Sequence, residues 1–480
     1  MPHADFDLAA SAREEMIHEG FHPDFSPAVA QQLAALQSLG VPTLNGDIED
    51  LRSLLWSSID NDTSRDLDQI EVAERVNEGI RVRIGIADVD SDVDRGSPID
   101  QHAADQTTTV YTAVRNFPML PEQLSTGLTS LNQGQDRLAV VIEFVVRPDG
   151  SIASSAVSRA MVRNRAHLTY EGIGPWLEGG GSGPPAEVAA QLKLQDEAAS
   201  ALRAKRHELG ALEFDRAELQ AAVSDGHVHS LAAARRNRAS ALIEDFMVAA
   251  NEVMARTLSD AGVSSIRRVV RSPERWPRIV DIARQYGASL PDQPDSGALA
   301  AFLRDRQNAD PVHYPDLSLS IIKLLGPGEY VLVRPGETGA GHFGLAAHDY
   351  THSTAPNRRF ADLVTQRLIK AVFARQAGPY SDDELAAFAR NCTLREDAAR
   401  KVERTMAKRV AAVALQDRIG ASFEAVVTGV TAKGVFVRVT NPPVEGMLVR
   451  GERGVDVGDQ IRVTLEATDP RRGYIDFARS

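Results

Sequence analysis

The sequence predicts an α+β protein with a small helical N-terminal region, a large mixed domain and a C-terminal five-stranded β-barrel. From about residue 48 to residue 418, strand and helix patterns mix without a repeating βαβ period, which favours a single large α+β domain. Beyond that point the pattern changes to short β-branched strands joined by glycine turns, which is typical of a small barrel. We therefore expect regions at 1–47, 48–418 and 419–480.

The N-terminal region contains two helical stretches, from Leu8 to Glu19 and from Ala28 to Leu39. Ser26-Pro27 is a good helix start, with serine as the cap and proline in the first turn. Two short helices around a turn are compatible with a helix-turn-helix unit that binds DNA, although such pairs more often serve packing.

The large domain contains three segments in which Ala, Leu, Arg and Glu recur at helical spacing: 186–209, 228–260 and 358–375. In the last region, five strands are expected at 423–430, 434–439, 445–449, 457–465 and 473–477. Their order, with Gly434-Val435-Phe436-Val437, resembles the OB-fold RNA-binding module first named from a ribosomal protein. A generic SH3-like barrel is the alternative.

Composition places the chain among soluble globular proteins. Of its 480 residues, 43% are hydrophobic and 25% are charged, and the net charge of −13 argues against a wholesale nucleic-acid binder without excluding a local basic channel. Cys392 is the single cysteine, so neither an internal disulfide nor a thiolate metal cluster can form. No signal peptide and no apolar run of about 20 residues is evident, so we expect a cytoplasmic protein without membrane contact.

The most informative stretch is 58–69, where four aspartates (Asp60, Asp62, Asp66 and Asp68) fall within nine residues. Carboxylates this close repel one another, so a fold keeps them together with a counter-charge or a metal. The next segment, 79–89, reads as a buried strand, which anchors the acidic run beside a core.

Three interpretations of this run are open. A calcium loop would use Asp60, Asp62, Ser64, Asp66, Asp68 and Glu71, but Arg65 replaces the required glycine and a strand follows instead of a helix. A magnesium site beside a phosphate substrate needs only a few of these carboxylates. The third interpretation is a solvated acidic loop.

Several blocks, in a fixed order, resemble the ribonuclease II (RNB) family of exoribonucleases. They are Ile59-Asp60 with Asp66-Leu67-Asp68, Ile86-Ala87-Asp88-Val89, Phe117-Pro118-Met119-Leu120-Pro121 after Tyr111, and the stretch from Tyr350 to Leu363. The resemblance implies a processive 3′→5′ exoribonuclease that binds single-stranded RNA with a free 3′ end. It also implies Mg²⁺, or Mn²⁺ as a substitute, and release of nucleoside 5′-monophosphates.

The resemblance also assigns roles to residues. Metal ligation is implied for Asp60, Asp66, Asp68 and Gln69; catalysis for Asp68, Arg358 and Glu403; and RNA binding for Tyr111, Tyr170, Phe214, Glu244 and His352. The guanidinium of Arg358 suits phosphate oxygens, although an ion pair with Asp362 is an alternative. The aromatic residues suit base stacking, and Glu244 could accept a hydrogen bond from a 2′-hydroxyl.

Two departures from the family pattern are evident. The family usually continues with a second aspartate where this chain has Gln69, whose amide oxygen coordinates a cation without supplying charge. Fewer than sixty residues precede Asp60, too few for the two cold-shock barrels that usually come first. A catalytically weakened RNA-binding or regulatory protein is therefore the alternative function, and we expect a monomer in either case.

Overall fold

The computed structural model describes residues 6–38, 48–214, 218–224, 227–234, 236–311, 313–337, 339–432, 434–439 and 441–480. The strands are β1 (Glu49–Asp50), β2 (Ser57–Asp60), β3 (Gln69–Val76), β4 (Gly79–Ala87), β5 (Val110–Tyr111), β6 (Asn116–Phe117), β7 (Asp136–Val146), β8 (Ile152–Arg163), β9 (Ala166–Thr169), β10 (Glu218–Ser224), β11 (His227–Ala234), β12 (Ser265–Val269), β13 (Glu329–Val333), β14 (Ser422–Thr431), β15 (Gly434–Val439), β16 (Glu445–Arg450), β17 (Gln460–Asp469) and β18 (Tyr474–Arg479). The helices are α1 (Leu8–His18), α2 (Pro27–Gln37), α3 (Pro98–Gln106), α4 (Tyr170–Leu177), α5 (Ala186–Glu208), α6 (Arg238–Asp260), α7 (Trp276–Gln285), α8 (Ser296–Ala309), α9 (Tyr314–Leu325), α10 (Phe360–Phe373) and α11 (Asp382–Ala414).

A seven-stranded sheet in the order β1-β8-β7-β4-β3-β2-β9 forms the centre of the large domain. The outer pairs β1–β8 and β2–β9 are parallel, and the pairs between them are antiparallel. Helices α5 and α6 pack on this sheet, and Ile59, Phe144 and Phe246 are fully buried between the layers. The mixed α+β class is confirmed.

The C-terminal region is a closed barrel in the order β14-β15-β16-β18-β17, as five short β-branched strands with glycine turns predict. All neighbouring pairs are antiparallel except β16–β18, which is parallel. Alternate side chains of each strand fill the interior, where Val437, Val463 and Phe477 are fully buried. The predicted barrel is thereby confirmed.

Helix α11 connects the parts of the molecule. At 33 residues it is about 50 Å long, and it begins in a capping box in which Ser381 and Glu384 bind each other's backbone N–H groups. Its middle buries Val402 and Met406 against α1, and its C-terminal end contributes Leu415 to the barrel core. The position of the barrel relative to the large domain therefore depends on this helix.

The N-terminal helices form where the sequence predicts them, and the Ser26 hydroxyl caps α2 by accepting the Val29 N–H. Helix α1 belongs to the core it shares with α11, whereas α2 packs on α3 through a different core. A helix-turn-helix needs two helices packed on each other across a turn of about three or four residues, and here eight residues, 19–26, intervene. The packing of α1 and α2 gives the helix-turn-helix interpretation no support, and it stays a prediction.

The predicted helix at 228–260 begins ten residues later, at Arg238. Asn237 caps it through a reciprocal bond with Ser240, while the alanine-rich segment His227–Ala234 pairs with β10 as a strand. Tertiary pairing here overrides the helical propensity of alanine. The predictions at 186–209 and 358–375 correspond to α5 and α10, but α10 begins only at Phe360. Among the described residues, no helix is both long enough and apolar enough to cross a membrane.

A buried charge network joins α10 to the chain segment around α3. The Arg367 side chain is 3% exposed, and its guanidinium donates to Asp90, Asp100 and the Tyr380 hydroxyl at 2.7 Å each. Each donor on this side chain that points into the core has an oxygen partner, which compensates for the desolvation of the charge.

We expect Arg367→Met to lower the free energy of unfolding by about 3–5 kcal/mol, because it leaves the buried Asp100 carboxylate without its cation; Asp90 keeps Lys370 at 2.8 Å. Urea denaturation checks this, with Arg284→Met as the control. Arg284 pairs with Asp281 in the same way, but its side chain is 70% exposed, so that change should have little effect. Equal effects of the two substitutions would contradict the assignment of the Arg367 network as a buried one.

Candidate active site

The acidic run lies at one end of the central sheet, in the connection between β2 and β3. Asp60 ends β2 and accepts hydrogen bonds from the Asn61 N–H (2.7 Å) and the Ser64 hydroxyl (2.9 Å), which closes the turn. Leu67 is buried, and its N–H donates to the Ser130 hydroxyl at 3.0 Å. The connection is thus tied to the core at both ends.

Asp68 is the most buried carboxylate of this run, at 2% exposure. Its Oδ1 accepts the Asn357 N–H at 3.0 Å, while Oδ2 has no hydrogen-bond partner among the described residues and lies 3.6 Å from Nε of Arg358. Burial raises the pKa of the Asp68 carboxyl to about 8, although Arg358 opposes the shift. A buried carboxylate oxygen that accepts no hydrogen bond and lies beside a guanidinium is typical of a ligand-binding site.

Asp66 brings in two further residues that are distant in the sequence. Its Oδ2 accepts a hydrogen bond from the Tyr111 hydroxyl at 3.1 Å, and burial raises the pKa of its carboxyl. The Tyr111 N–H in turn donates to Oε1 of Glu403 on α11 at 3.2 Å. Since the Tyr111 side chain is 38% exposed, its ring is accessible at the rim of the site.

Arg358 lies in the loop before α10. The ion pair with Asp362 that the sequence allows for Arg358 is formed instead by its neighbour Arg359. Nε and Nη2 of Arg359 donate to the two oxygens of Asp362 at 2.8 and 2.7 Å, and Asp362 also accepts the Ala355 N–H. The alternative of an Arg358–Asp362 ion pair is therefore wrong. Arg358, 44% exposed, is directed instead at Asp68.

His352 lies behind this loop with its ring held by protein groups. Its Nδ1 is 2.7 Å from the Tyr330 hydroxyl, and its ring packs edge-on against Tyr330 and Tyr350. Burial and the neighbouring arginines lower its pKa well below the usual value, which keeps the ring neutral. A cavity of about 220 Å³ joins His352 to Tyr111, Arg358 and Glu403.

Tyr170, Phe214 and Glu244 are not in the carboxylate cluster but line a larger cavity of about 790 Å³. Oε2 of Glu244 pairs with Arg236 at 2.9 Å, and half of its side chain remains exposed. Asn61 contributes to the wall of this cavity and also follows Asp60 in the acidic run. The structure thus places the predicted RNA-contacting residues in a cleft that opens beside the carboxylates.

Sequence reasoning missed the residues that hold this geometry. The Asn357 N–H donates to Asp68, and the Asn357 side-chain oxygen accepts a hydrogen bond from the Thr129 hydroxyl. Asp362 holds the loop by accepting the Ala355 N–H. It also gave Glu71 no role beyond the calcium loop, although Glu71 is fully buried and both of its carboxyl oxygens lack hydrogen bonds to described residues. No local signal predicted this burial, because the alternation with Ile70 and Val72 assigns Glu71 to the polar face of the strand.

The donor set suits a hard divalent cation, with carboxylate oxygens on Asp60, Asp66 and Asp68 and an open oxygen on Asp68. Within the part of the chain that the structure describes, no three His, Cys, Asp or Glu side chains lie close enough together to hold an ion. These carboxylates would therefore supply only part of the shell of an ion, and water and a phosphate would have to supply the rest. Because Glu71 lies within β3, and Asp68 is buried, the calcium-loop and solvated-loop interpretations are wrong.

Comparison with known proteins gives matches over nearly the whole chain. The RNB domain matches residues 48–375, and the RNase II-type exonuclease C-terminal S1 domain matches residues 421–480. Ribonuclease R of Escherichia coli K12 is 28% identical over 491 residues, covering 94% of this chain and 60% of that protein. Ribonuclease R 1 of Lactococcus lactis is 28% identical over 89% of this chain and 56% of its own length, so this chain spans somewhat more than half of these relatives.

Solved structures show the same fold. RNase R of Mycoplasma genitalium, in complex with ribose-methylated single-stranded RNA, superimposes with a TM-score of 0.89 at 22% identity, covering 99% of this chain and 78% of that one. Yeast Ssd1, described as a pseudonuclease, superimposes with a TM-score of 0.70 at 16% identity, covering 91% and 55%. The fold is therefore shared by proteins that carry the name of a nuclease and by one that does not act as one.

His342 forms part of the wall of the 790 Å³ cavity, where it caps a short 3₁₀ turn. Its Nδ1 accepts the Leu345 N–H at 3.2 Å, which requires an unprotonated nitrogen. Burial and the nearby Arg268 lower the pKa of its ring to about 4.

We expect acid to destabilise the protein partly through His342. Since its folded pKa lies below the unfolded value of about 6.5, the unfolded state binds more protons, and stability falls as pH drops from 6.5 towards 4. His342→Gln should remove about 2 kcal/mol or less of that loss. Urea midpoints of both proteins at pH 7 and pH 4.5 measure it, and parallel pH dependences would show that His342 does not contribute.

Proposed function

This chain belongs to the RNB-domain family, and on that premise we propose that it is a processive 3′→5′ exoribonuclease. Its substrate is single-stranded RNA with a free 3′ end, and its products are nucleoside 5′-monophosphates. Members of the family generally depend on a divalent metal, and we propose Mg²⁺, with Mn²⁺ as a substitute. The observation that carries the proposal is the convergence of Asp66, Asp68, Tyr111 and Arg358 from three distant segments.

The site residues divide the chemistry of phosphodiester hydrolysis among them. Asp60, Asp66 and Asp68 would hold a divalent ion through their carboxylates, and Gln69 would contribute its amide oxygen. Such an ion would supply activation of the attacking water and stabilisation of the departing oxygen. Arg358, whose side chain is 44% exposed, places its planar guanidinium against the phosphate oxygens as negative charge develops there.

Glu403 has a supporting part in this scheme. Its carboxylate accepts the Tyr111 N–H and thereby fixes the segment that carries the aromatic ring. With its hydroxyl held by Asp66, Tyr111 presents a ring face to the base at the 3′ end. His352, with Nδ1 bound by Tyr330, lines the cavity beside Tyr111 and Arg358, where we propose that it contributes to RNA binding.

The larger cavity binds the nucleotides that precede the 3′-terminal one. Tyr170 and Phe214 offer ring faces for stacking, which is tolerant of sequence, and the exposed half of Glu244 can accept a hydrogen bond from a 2′-hydroxyl. A similar fold accommodates single-stranded RNA in the Mycoplasma genitalium protein. We propose that the S1 barrel adds phosphate contacts, and that the protein acts as a cytoplasmic monomer.

A second function is favoured by one specific observation. Gln69 replaces the charged residue that the family usually has, and the fold is shared with a pseudonuclease, so a catalytically weakened RNA-binding protein is the competing proposal. The retention of Asp60, Asp66, Asp68 and Arg358 together favours the enzyme. N-terminal DNA binding has no support from the packing of α1 and α2 against the large domain.

Digestion of uniformly labelled single-stranded RNA tests the proposed function. With magnesium, the wild-type protein should release nucleoside 5′-monophosphates, and EDTA should stop the reaction. Asp68→Asn should abolish hydrolysis yet bind RNA within a few-fold of wild type in fluorescence anisotropy, because affinity comes mainly from phosphate contacts and stacking. Absence of monophosphates with either Mg²⁺ or Mn²⁺ would favour the binding protein, and equal loss of binding would make Asp68 structural.

Substitution of Arg358 separates catalysis from substrate binding. Arg358→Ala should reduce kcat by about 10²–10³ with a smaller change in KM, since the guanidinium acts on charge that develops in the transition state. Arg358→Lys should recover only part of the rate, because an ammonium lacks the planar fork. Arg284→Ala, on the exposed surface of α7, is the matched control; a rise in KM alone for Arg358→Ala would contradict a catalytic role.

A further inference from the structure

Arg236 and Asn237, the two residues that precede α6, lie in the wall of the 790 Å³ cavity. Arg236 bridges two acids from different segments: its Nη1 donates to Oε1 of Glu213 at 2.9 Å, and its Nη2 lies 2.9 Å from Oε2 of Glu244. All three side chains line the cavity and are partly exposed. Since one guanidinium joins two carboxylates, the three side chains together present a net negative charge to a ligand.

Asn237 holds a third residue of the same cavity. Its side-chain amide donates to the Tyr170 carbonyl at 2.8 Å, while its side-chain oxygen accepts the Ser240 N–H and caps α6. A Cβ on Gly174 would lie 2.7 Å from the Asn237 side chain, so only glycine lets α4 approach this closely. One short loop therefore connects α4, α6 and the segment that carries Phe214, all of which line the cavity.

The bridge fixes how Glu244 faces the cavity. Half of the Glu244 side chain is exposed, and a long acidic side chain at such a position is otherwise free to change rotamer. Arg236 binds Oε2, whereas Oε1 accepts no hydrogen bond from the described residues. A fixed oxygen that is still open suits a neutral donor such as a 2′-hydroxyl, because the net negative charge of the bridge repels a phosphate.

We propose that Arg236 sets the selection of ribose over deoxyribose by holding Glu244 in position for the 2′-hydroxyl of a bound RNA strand. Arg236 is a positioning residue, because it acts through Glu244 and does not itself contact the RNA. The inference rests on the proposed function, since it concerns the nucleotides that the larger cavity binds. A direct contact between the Arg236 guanidinium and a phosphate is the alternative that contradicts it.

Binding of RNA strands that carry a single 2′-deoxynucleotide, placed in turn at each position near the 3′ end, tests this assignment. Fluorescence anisotropy in EDTA measures the affinities without turnover. The wild-type protein should bind one of these strands about tenfold more weakly than all-ribose RNA, because a hydrogen bond to a carboxylate is lost. Arg236→Gln should weaken binding of the all-ribose strand and leave the substituted strand unchanged, which reduces the difference to about twofold.

Arg238 provides a matched control. It lies two residues further along the chain and donates to both carboxylate oxygens of Asp196, at 2.8 and 2.5 Å, but it does not line the cavity. Arg238→Gln removes an ion pair of similar exposure and should retain the wild-type difference between the two strands.

A double-mutant cycle shows whether Arg236 acts through Glu244. Glu244→Gln should reduce the difference between the strands, and adding Arg236→Gln to it should have no further effect, because both changes remove the same contact. Additive losses, or equal weakening of all strands by Arg236→Gln, would show that the guanidinium contacts the RNA itself and would overturn the assignment.

Thermal unfolding shows whether each variant is folded. Because Arg236 and Glu244 are both partly exposed, loss of their ion pair should change the melting temperature little. If Arg236→Gln does not fold, Glu213→Gln takes its place, because it removes the other anchor of the guanidinium and should also reduce the difference between the strands.

The outcomes separate this inference from the proposed function. An unchanged difference in Arg236→Gln, or a wild-type protein that shows no difference at any position, would overturn the inference and leave an RNA-hydrolysing enzyme intact. A wild-type protein that releases no monophosphates, yet shows a difference that Arg236→Gln reduces, would support the inference and overturn the exoribonuclease.

Discussion

The hydrogen bond from the Asn357 N–H to Asp68 is the interaction on which the site depends, because it joins segments 289 residues apart. One segment is the β2–β3 connection with its carboxylates, and the other is the loop that presents Arg358. Without this bond the acidic run would be a turn at the end of a sheet, with no cation to balance its charge. Its burial makes it strong, since water cannot compete for either group.

The supporting contacts explain why two adjacent arginines have different surroundings. Arg359 is bound by both oxygens of Asp362, so it stabilises the loop. Arg358 is left half-exposed and directed at an open carboxylate oxygen, where a phosphate can compete for it. The loop is held in place through Arg359 and presents Arg358 to a ligand, and this arrangement is the preorganisation that electrostatic catalysis requires.

The long helix α11 gives the site its relation to the rest of the molecule. It carries Glu403 beside Tyr111, packs on α1 in its middle, and ends in the core of the S1 barrel. The short N-terminal helix α1 therefore braces the element that connects site and barrel. The burial of Leu8 and Met16 against Val402 and Met406 is the physical basis of that bracing.

The sequence by itself determined the α+β class, the closed barrel and the family, because strand alternation, glycine turns and motif order are local properties of the chain. It also identified Asp66, Asp68, Tyr111 and Arg358 as candidates, but not their mutual contacts. That Arg359 rather than Arg358 binds Asp362, that His227–Ala234 pairs as a strand, and that Glu71 is buried with no hydrogen-bond partner among the described residues all emerged only from the tertiary structure. These features depend on side-chain direction in loops and on pairing between distant segments, and no local periodicity encodes either.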